Sequence, residues 1–232
     1  MKQKRKTQQS SRKTWVLLGL VSLPVVILLM LLPAQEKALE IPPYLVRNET
    51  PALIKAVALG ESSRVRKILE SGTDVNQTDE FGTSALHAAV VTGRESLTRL
   101  LLSRGALVDA RDNDGQTPLY LAVDRMLAGL VRLLLEAGAS PIGQTRAGSS
   151  PVTHAVVRGE RTIFGMLLAS KDALEVRDNE GSGLVHIAAL WGREDLAGIL
   201  LEKGLKTEST NVWGLTPLHL RSEEHTSELQ SL

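Results

Sequence analysis

The sequence contains no cysteine. This absence excludes disulfide bridges, thiolate metal sites and a cysteine nucleophile, and it is compatible with an oxidising compartment without requiring one. Most of the chain also lacks a basic excess. Six of the 27 Lys and Arg residues fall within residues 1–14, so the rest carries 21 basic against 26 acidic side chains. This net negative charge argues against nucleic-acid binding.

Residues 15–32 (WVLLGLVSLPVVILLMLL) lack charged side chains altogether. As a helix they would span roughly 27 Å, just enough for a hydrocarbon core of about 30 Å. The basic residues 1–14 come directly before them and are expected to stay in the cytoplasm. We therefore predict a basic cytoplasmic tail over 1–14 and a transmembrane helix over 15–32, with everything beyond residue 32 outside the cytoplasm.

A basic stretch before an apolar segment also describes a signal peptide. The candidate cleavage sites fit poorly, because Leu32 lies two residues before Ala34 where a small side chain is needed. The sequence therefore favours an uncleaved signal anchor. Residues 33–48, with Pro42 and Pro43, are predicted to be a linker between the membrane and the next domain.

The rest of the chain repeats itself every 33 residues. The alanine of one unit recurs as Ala56, Ala89, Ala122, Ala155 and Ala188. A glycine recurs in the same way as Gly82, Gly115, Gly148, Gly181 and Gly214. Apolar pairs follow the same frame, as in Leu101-Leu102 and Leu134-Leu135. These apolar positions are predicted to form a continuous core between neighbouring units.

Residues 82–114 (GTSALHAAVVTGRESLTRLLLSRGALVDARDND) show one whole unit. The unit begins with a segment similar to T-P-L-H. This segment and the 33-residue period resemble the ankyrin repeat family over residues 49–220. The units run as 49–81, 82–114, 115–147, 148–180 and 181–213, with a sixth begun at Gly214. The resemblance implies an all-α solenoid of helix-turn-helix units with β-turn fingers, preceded here by the one transmembrane helix.

Several residues in the middle of the array depart from the repeat. Met126 stands where a glycine ends the first helix of other units, and Thr145 replaces the aspartate of the turn. Thr153 replaces the histidine, and Lys171 replaces the second glycine. A lost cap costs about 0.5–2 kcal/mol, so we expect the middle units to be the least stable.

Residues 221–231 (RSEEHTSELQS) interrupt the sixth unit within its first helix. They resemble the translation of a common sequencing-library adapter. We therefore expect residues 221–232 to be a non-native tail, with the natural protein continuing beyond Leu220.

The residues offer no evident catalytic site. His87, His186 and His219 stand at the T-P-L-H position, where the resemblance implies bonds to neighbouring turns. His154 lies one place later in the frame, and no Ser/His/Asp group or metal-ligand spacing can be assembled. Residues 112–115 (DNDG) lack the alternate acidic spacing of a calcium loop. We expect no enzyme activity, no cofactor, no metal and no small-molecule substrate.

Two functions remain open. The first is a membrane-anchored protein–protein interaction module on the non-cytoplasmic side, acting as a scaffold or as an inhibitor or protective partner of an envelope enzyme. The alternative is the targeting arm of an enzyme or receptor whose C-terminal part is missing. We favour the first, in a bacterial periplasm, with a eukaryotic lumen or extracellular placement as the second choice.

Framework positions repeat their residue, whereas binding positions should vary. One variable position lies just before the glycine that ends the first helix, which in ankyrin repeats faces the concave groove. The position before it and the tips of the turns vary as freely. The predicted protein-binding residues are Arg125, Arg158, Trp191, Asp124, Leu190 and Trp213. Arg and Trp are frequent hot-spot residues, so we expect an acidic, partly apolar partner.

Overall fold

The computed structural model describes residues 40–221. The predicted tail over 1–14, the predicted transmembrane helix over 15–32, the start of the linker and residues 222–232 lie outside this range. Among residues 40–221, no helix is both long and apolar enough to cross a membrane.

Within that range the chain folds into five helix pairs. The first helices of the pairs are α1 (Ala52–Leu59), α3 (Ala85–Val91), α5 (Pro118–Asp124), α7 (Pro151–Arg158) and α9 (Leu184–Leu190). The second helices are α2 (Ser62–Glu70), α4 (Glu95–Ser103), α6 (Ala128–Glu136), α8 (Arg161–Leu167) and α10 (Glu194–Glu202). Each first helix packs against the next first helix, which forms one layer of the array. The second helices form the other layer.

The predicted core positions lie between these layers. The alanine of each unit is at most 1% exposed. The first leucine of each pair is fully buried at Leu101, Leu134, Leu167 and Leu200. The alanines allow the first helices to approach closely, and the leucines fill the space under the second helices. Truncating one of these leucines to alanine is expected to cost about 2–5 kcal/mol.

The first helices begin and end where the repeat predicts. Ser84, Thr117 and Ser150 each accept a hydrogen bond from the amide three residues later. Four of the five first helices are followed by a glycine in the left-handed region, at Gly60, Gly93, Gly159 and Gly192. In the third unit Met126 takes this conformation with a φ of 56°, and within residues 40–221 no other non-glycine residue has a positive φ. The backbone therefore keeps the helix end even where its preferred residue is missing.

A tight turn, here called a finger, precedes each first helix from α3 onwards. In three fingers an aspartate side chain accepts hydrogen bonds from the amides two and four residues later: Asp79, Asp112 and Asp178. Neighbouring fingers are joined by backbone bonds, as from Asn113 N to the Phe81 oxygen at 2.9 Å. In residues 40–221, extended pairing is limited to isolated bridges. The described residues therefore form the all-helical array with turn fingers that the repeat predicts.

Two segments differ from the regular unit. A 3-10 helix over Pro43–Val46 packs against α1, and Leu45 is fully buried there. The sequence placed these residues in the linker, whereas they cover the open end of the first unit. In the fourth unit, where Lys171 replaces a glycine, a second 3-10 helix occupies Lys171–Glu175.

Candidate protein-binding surface

The predicted binding residues lie at the ends of the first helices and at the last finger. Asp124 and Leu190 are the last residues of α5 and α9, and Arg158 is the last residue of α7. Arg125 and Trp191 directly follow α5 and α9. All five of these residues are half-buried. We call this set, together with the finger tip at Trp213, the helix-end surface.

Three of the four aligned positions in the first two units are buried, whereas Leu59, which aligns with Arg125, is 39% exposed. Thr92, which aligns with Arg125, is 1% exposed and its hydroxyl donates to the Ala88 carbonyl oxygen at 2.7 Å. Ala58 and Val91, which align with Asp124, are 0% and 4% exposed. The first unit therefore presents an apolar side chain at this position, whereas the charged side chains of the helix-end surface lie in the third and fourth units.

The two tryptophans of this surface have different surroundings. Trp191 packs against the buried core cluster of the third to fifth units. Trp213 is 71% exposed at the tip of the last finger, beside Val212, which is 68% exposed. The structure therefore gives Trp191 a share in the packing and leaves Trp213 open to solvent.

Three polar side chains form a hydrogen-bonded network between α5 and α7. His154 Nε2 lies 3.0 Å from Asp124 Oδ1, and His154 Nδ1 lies 3.3 Å from the Tyr120 hydroxyl. The rings of Tyr120 and His154 stack at 4.7 Å between centroids. His154 is 5% exposed, whereas the side chain of Asp124 is 46% exposed. The network therefore links a buried imidazole to a carboxylate at the surface.

One tautomer satisfies both contacts of the imidazole. A neutral ring with hydrogen on Nε2 donates to Asp124 and accepts the Tyr120 hydroxyl at Nδ1. The hydrogen bond from His154 lowers the pKa of Asp124, and the positive charges of Arg158 and Arg125 act in the same direction against the effect of burial. Burial raises the pKa of Tyr120. Asp124 is therefore a carboxylate and Tyr120 a neutral phenol at neutral pH.

Neither arginine of the helix-end surface has an ion pair in the part of the chain that the structure describes. Arg158 Nη2 lies 3.6 Å from the Met126 sulfur, which is a weak acceptor. Both guanidinium groups lie at the carboxyl ends of first helices, where the helix dipole favours positive charge. The donors of both side chains therefore remain largely unused in the described part of the chain.

Sequence reasoning missed Tyr120 and His154 as parts of this surface. The repeat frame carried a signal, because His154 aligns with Ala88, Leu121 and Ile187. It lies 30 residues after Asp124, which is one unit less one helical turn and brings the two side chains together across neighbouring helices.

Two of the three histidines of the T-P-L-H position, His87 and His186, have the contacts to neighbouring turns that the resemblance implied. His87 Nε2 lies 3.1 Å from the Gln116 carbonyl oxygen, and His186 Nε2 lies 3.2 Å from that of Leu215. Burial lowers the pKa of both imidazoles. His219 Nδ1 lies 3.0 Å from the Thr216 hydroxyl. In residues 40–221, no cluster of His, Asp and Glu side chains is suited to hold a metal ion.

Comparison with known proteins agrees with this architecture. A family model described as ankyrin repeats, in three copies, matches residues 53–145. A search of curated proteins found no match. Ankyrin arrays are stacks of short repeats that present an extended binding surface, and they serve as protein–protein interaction modules. Residues 53–145 are therefore ankyrin repeats.

Proposed function

We propose that the array binds another protein through the helix-end surface. Arg125, Arg158, Trp191, Leu190 and Trp213 would contact the partner, and Asp124 is the carboxylate that lies among them. The observation that carries this proposal is the pair of half-buried guanidinium groups at Arg125 and Arg158 without an ion pair in residues 40–221. Arginine binds carboxylates through two parallel hydrogen bonds, and it is enriched at interface hot spots. An acidic group of a partner would use these donors.

The last finger supports an apolar contribution to the same interface. Val212 aligns with polar residues in the other fingers, namely Glu80, Asn113, Arg146 and Asn179. The fold therefore does not require an apolar side chain there. An exposed tryptophan beside an exposed valine is a typical anchor for a protein partner.

We also propose that residues 15–32 anchor the chain in a membrane, with residues 1–14 in the cytoplasm and the repeats on the other side. The uncharged segment and the six basic residues before it support this arrangement. In a bacterial periplasm the array would act as a scaffold, or as an inhibitor or protective partner of an envelope enzyme. Alkaline phosphatase fused after Glu40 should be active, whereas a cytoplasmic reporter at the same point should be inactive. The opposite result would place the repeats in the cytoplasm.

The binding surface is tested by partner recovery with the full chain. Replacing Arg158 and Trp213 by alanine should reduce recovery of the co-purifying protein at least about tenfold, because each side chain is accessible and absent from the core. Arg161→Ala, at the exposed start of α8, is the matched control and should change nothing. Unchanged recovery with Arg158 and Trp213 both replaced would contradict the proposal.

Trp191 requires a separate measurement because it also packs against the core. Trp191→Ala should lower both the thermal midpoint and partner recovery, whereas the Trp213 variant should lower recovery alone. A Trp191 variant with unchanged stability and reduced recovery would assign that side chain wholly to the interface.

A further inference from the structure

We infer that His154 is a positioning residue of the helix-end surface. By holding the carboxylate of Asp124, it keeps the guanidinium groups of Arg125 and Arg158 free for an acidic segment of the partner. This inference rests on the proposed function and names the chemistry of the partner.

The fold does not require either member of the His154–Asp124 pair. Residues at the position of Asp124 in the other units are Ala58, Val91, Val157 and Leu190. Residues at the position of His154 are Lys55, Ala88, Leu121 and Ile187. Two mostly apolar positions therefore carry polar side chains in adjacent units, and these side chains contact each other at 3.0 Å. Departures from a repeated framework that compensate one another in space are expected at functional sites.

The carboxylate of Asp124 has two kinds of possible partner, the arginines and the imidazole of His154. Arg125 is its neighbour in sequence, and the charges of Arg125 and Arg158 both act on it. Its hydrogen-bond partner in the described residues is nevertheless His154. Tyr120 contacts the other nitrogen of the ring and stacks on its face, so the imidazole is oriented from two sides. Asp124 Oδ1 is thus held by a buried imidazole.

The consequence is a surface with two unused guanidinium groups on neighbouring helices. Free arginine side chains next to a mobile carboxylate would pair with it, and a partner would have to break that pair before binding. Fixing the carboxylate on His154 removes this competition in advance, which is preorganisation of the binding site. The fitting partner is a peptide segment that carries carboxylates beside apolar side chains.

The Met126 backbone adds an independent indication. Met126 has a strained left-handed conformation, and its sulfur contacts Arg158 Nη2. Strained residues that the surrounding structure maintains are concentrated at binding and catalytic sites. The strain therefore lies beside the same guanidinium group.

The repeat frame supplies conservative variants for the test. His154→Leu copies Leu121, and Asp124→Val copies Val91 and Val157. The full chain in detergent is titrated into a fluorescein-labelled peptide rich in glutamate and leucine, with the glutamine analogue as control. We expect His154→Leu to weaken binding about tenfold, because Asp124 is released to pair with the arginines. Asp124→Val should bind at least as tightly as the natural chain. The double variant should recover the affinity of Asp124→Val.

Each outcome decides between definite alternatives. A purely structural role of His154 predicts that Asp124→Val does not rescue the loss, and this result would overturn the inference. Asp124→Val is a second, independent test. If this variant weakens binding, the inference fails even when His154→Leu does not fold. If Arg158→Ala weakens binding but His154→Leu does not, the proposed surface survives without the positioning role. If Arg158→Ala has no effect, the proposed surface itself fails. Equal affinity for an oligonucleotide probe would show a nonspecific cationic patch and would overturn both.

Discussion

Arg193 donates two hydrogen bonds to the carbonyl oxygen of Val157, through Nε at 3.2 Å and Nη2 at 2.7 Å. Its guanidinium group lies over Gly159, where a Cβ atom would come within 2.9 Å of the arginine Cζ. Val157 belongs to the last turn of α7, whose carbonyl groups have no partner within the helix. Arg193 therefore caps α7 and joins the fourth unit to the fifth.

The contact between the first and second units has an arginine in the same place, but Arg94 Nε is buried without a hydrogen-bond partner in the described part of the chain. Arg94 aligns with Arg193, and its guanidinium group lies over Gly60, where a Cβ would come within 2.9 Å of Cζ. The two middle joints have Leu127 and Glu160 at this position, and neither side chain can donate such hydrogen bonds. The hydrogen bonds that Arg193 makes between the fourth and fifth units therefore have no counterpart at the two middle joints.

Arg193→Ala is expected to lower the free energy of unfolding by about 1–2 kcal/mol, because two charge-assisted hydrogen bonds to a helix end are lost. Urea titration followed by circular dichroism measures the change. Arg161→Ala serves as the control, since this exposed arginine begins α8. Equal stability of the two variants would show that the Arg193 contact contributes nothing.

Met126→Gly is expected to raise stability by about 0.5–1 kcal/mol. The backbone of Met126 has a φ of 56°, which glycine adopts without the clash of a Cβ atom. We expect this gain in stability to exceed the loss of packing of the methionine side chain, which is half-buried and contacts the core only in part. Gly93→Ala is the opposite change at the aligned position and should be destabilising. A lower thermal midpoint for Met126→Gly would mean that the packing of the methionine outweighs the strain.

Thr145→Asp is expected to strengthen the fourth finger by about 0.5–1 kcal/mol. The hydroxyl oxygen of Thr145 accepts one hydrogen bond, which Ser149 N donates at 3.2 Å. The aspartates of the regular fingers accept two, as Asp178 does from Glu180 N and Ser182 N. Asp178→Thr should be destabilising by a similar amount. If both changes lower stability, the finger does not follow the repeat in this respect.

The stability of the array should fall as the pH decreases below about 6.5. Burial lowers the pKa of His87 below the ordinary value of 6.5, so the unfolded chain binds the proton more tightly than the folded chain. The contribution of His87 is therefore complete above pH 6.5 and is lost as the pH falls towards the pKa of the folded state. His186 acts in the same direction.

The His87→Gln variant isolates this effect. It should have a smaller loss of stability between about pH 6.5 and 5, before the carboxylates begin to titrate. Thermal unfolding at several pH values measures both chains. A steeper loss in the variant would show that another group controls the pH dependence.

The helix pairs and fingers could be predicted from the sequence because their determinants are local or repeated. Each glycine at a helix end determines one backbone conformation, and each alanine of the Ala89 series meets the same neighbours in the next unit. Even Met126 was recognisable as an exception from its alignment alone. Self-similarity at a fixed period thus specified the helix pairs, the fingers and the buried positions without knowledge of any particular contact.

Only the tertiary structure decided which members of a variable position reach the surface. Thr92 and Arg125 occupy the same place in the frame, yet one is buried and the other half-buried, because exposure depends on the side chains of adjacent units. The Asp124–His154 contact joins two helices and depends on the orientation of both side chains. The packing of Leu45 on the first unit likewise joins a segment outside the repeat to the core. A period describes what the units share, whereas these contacts arise where the units differ.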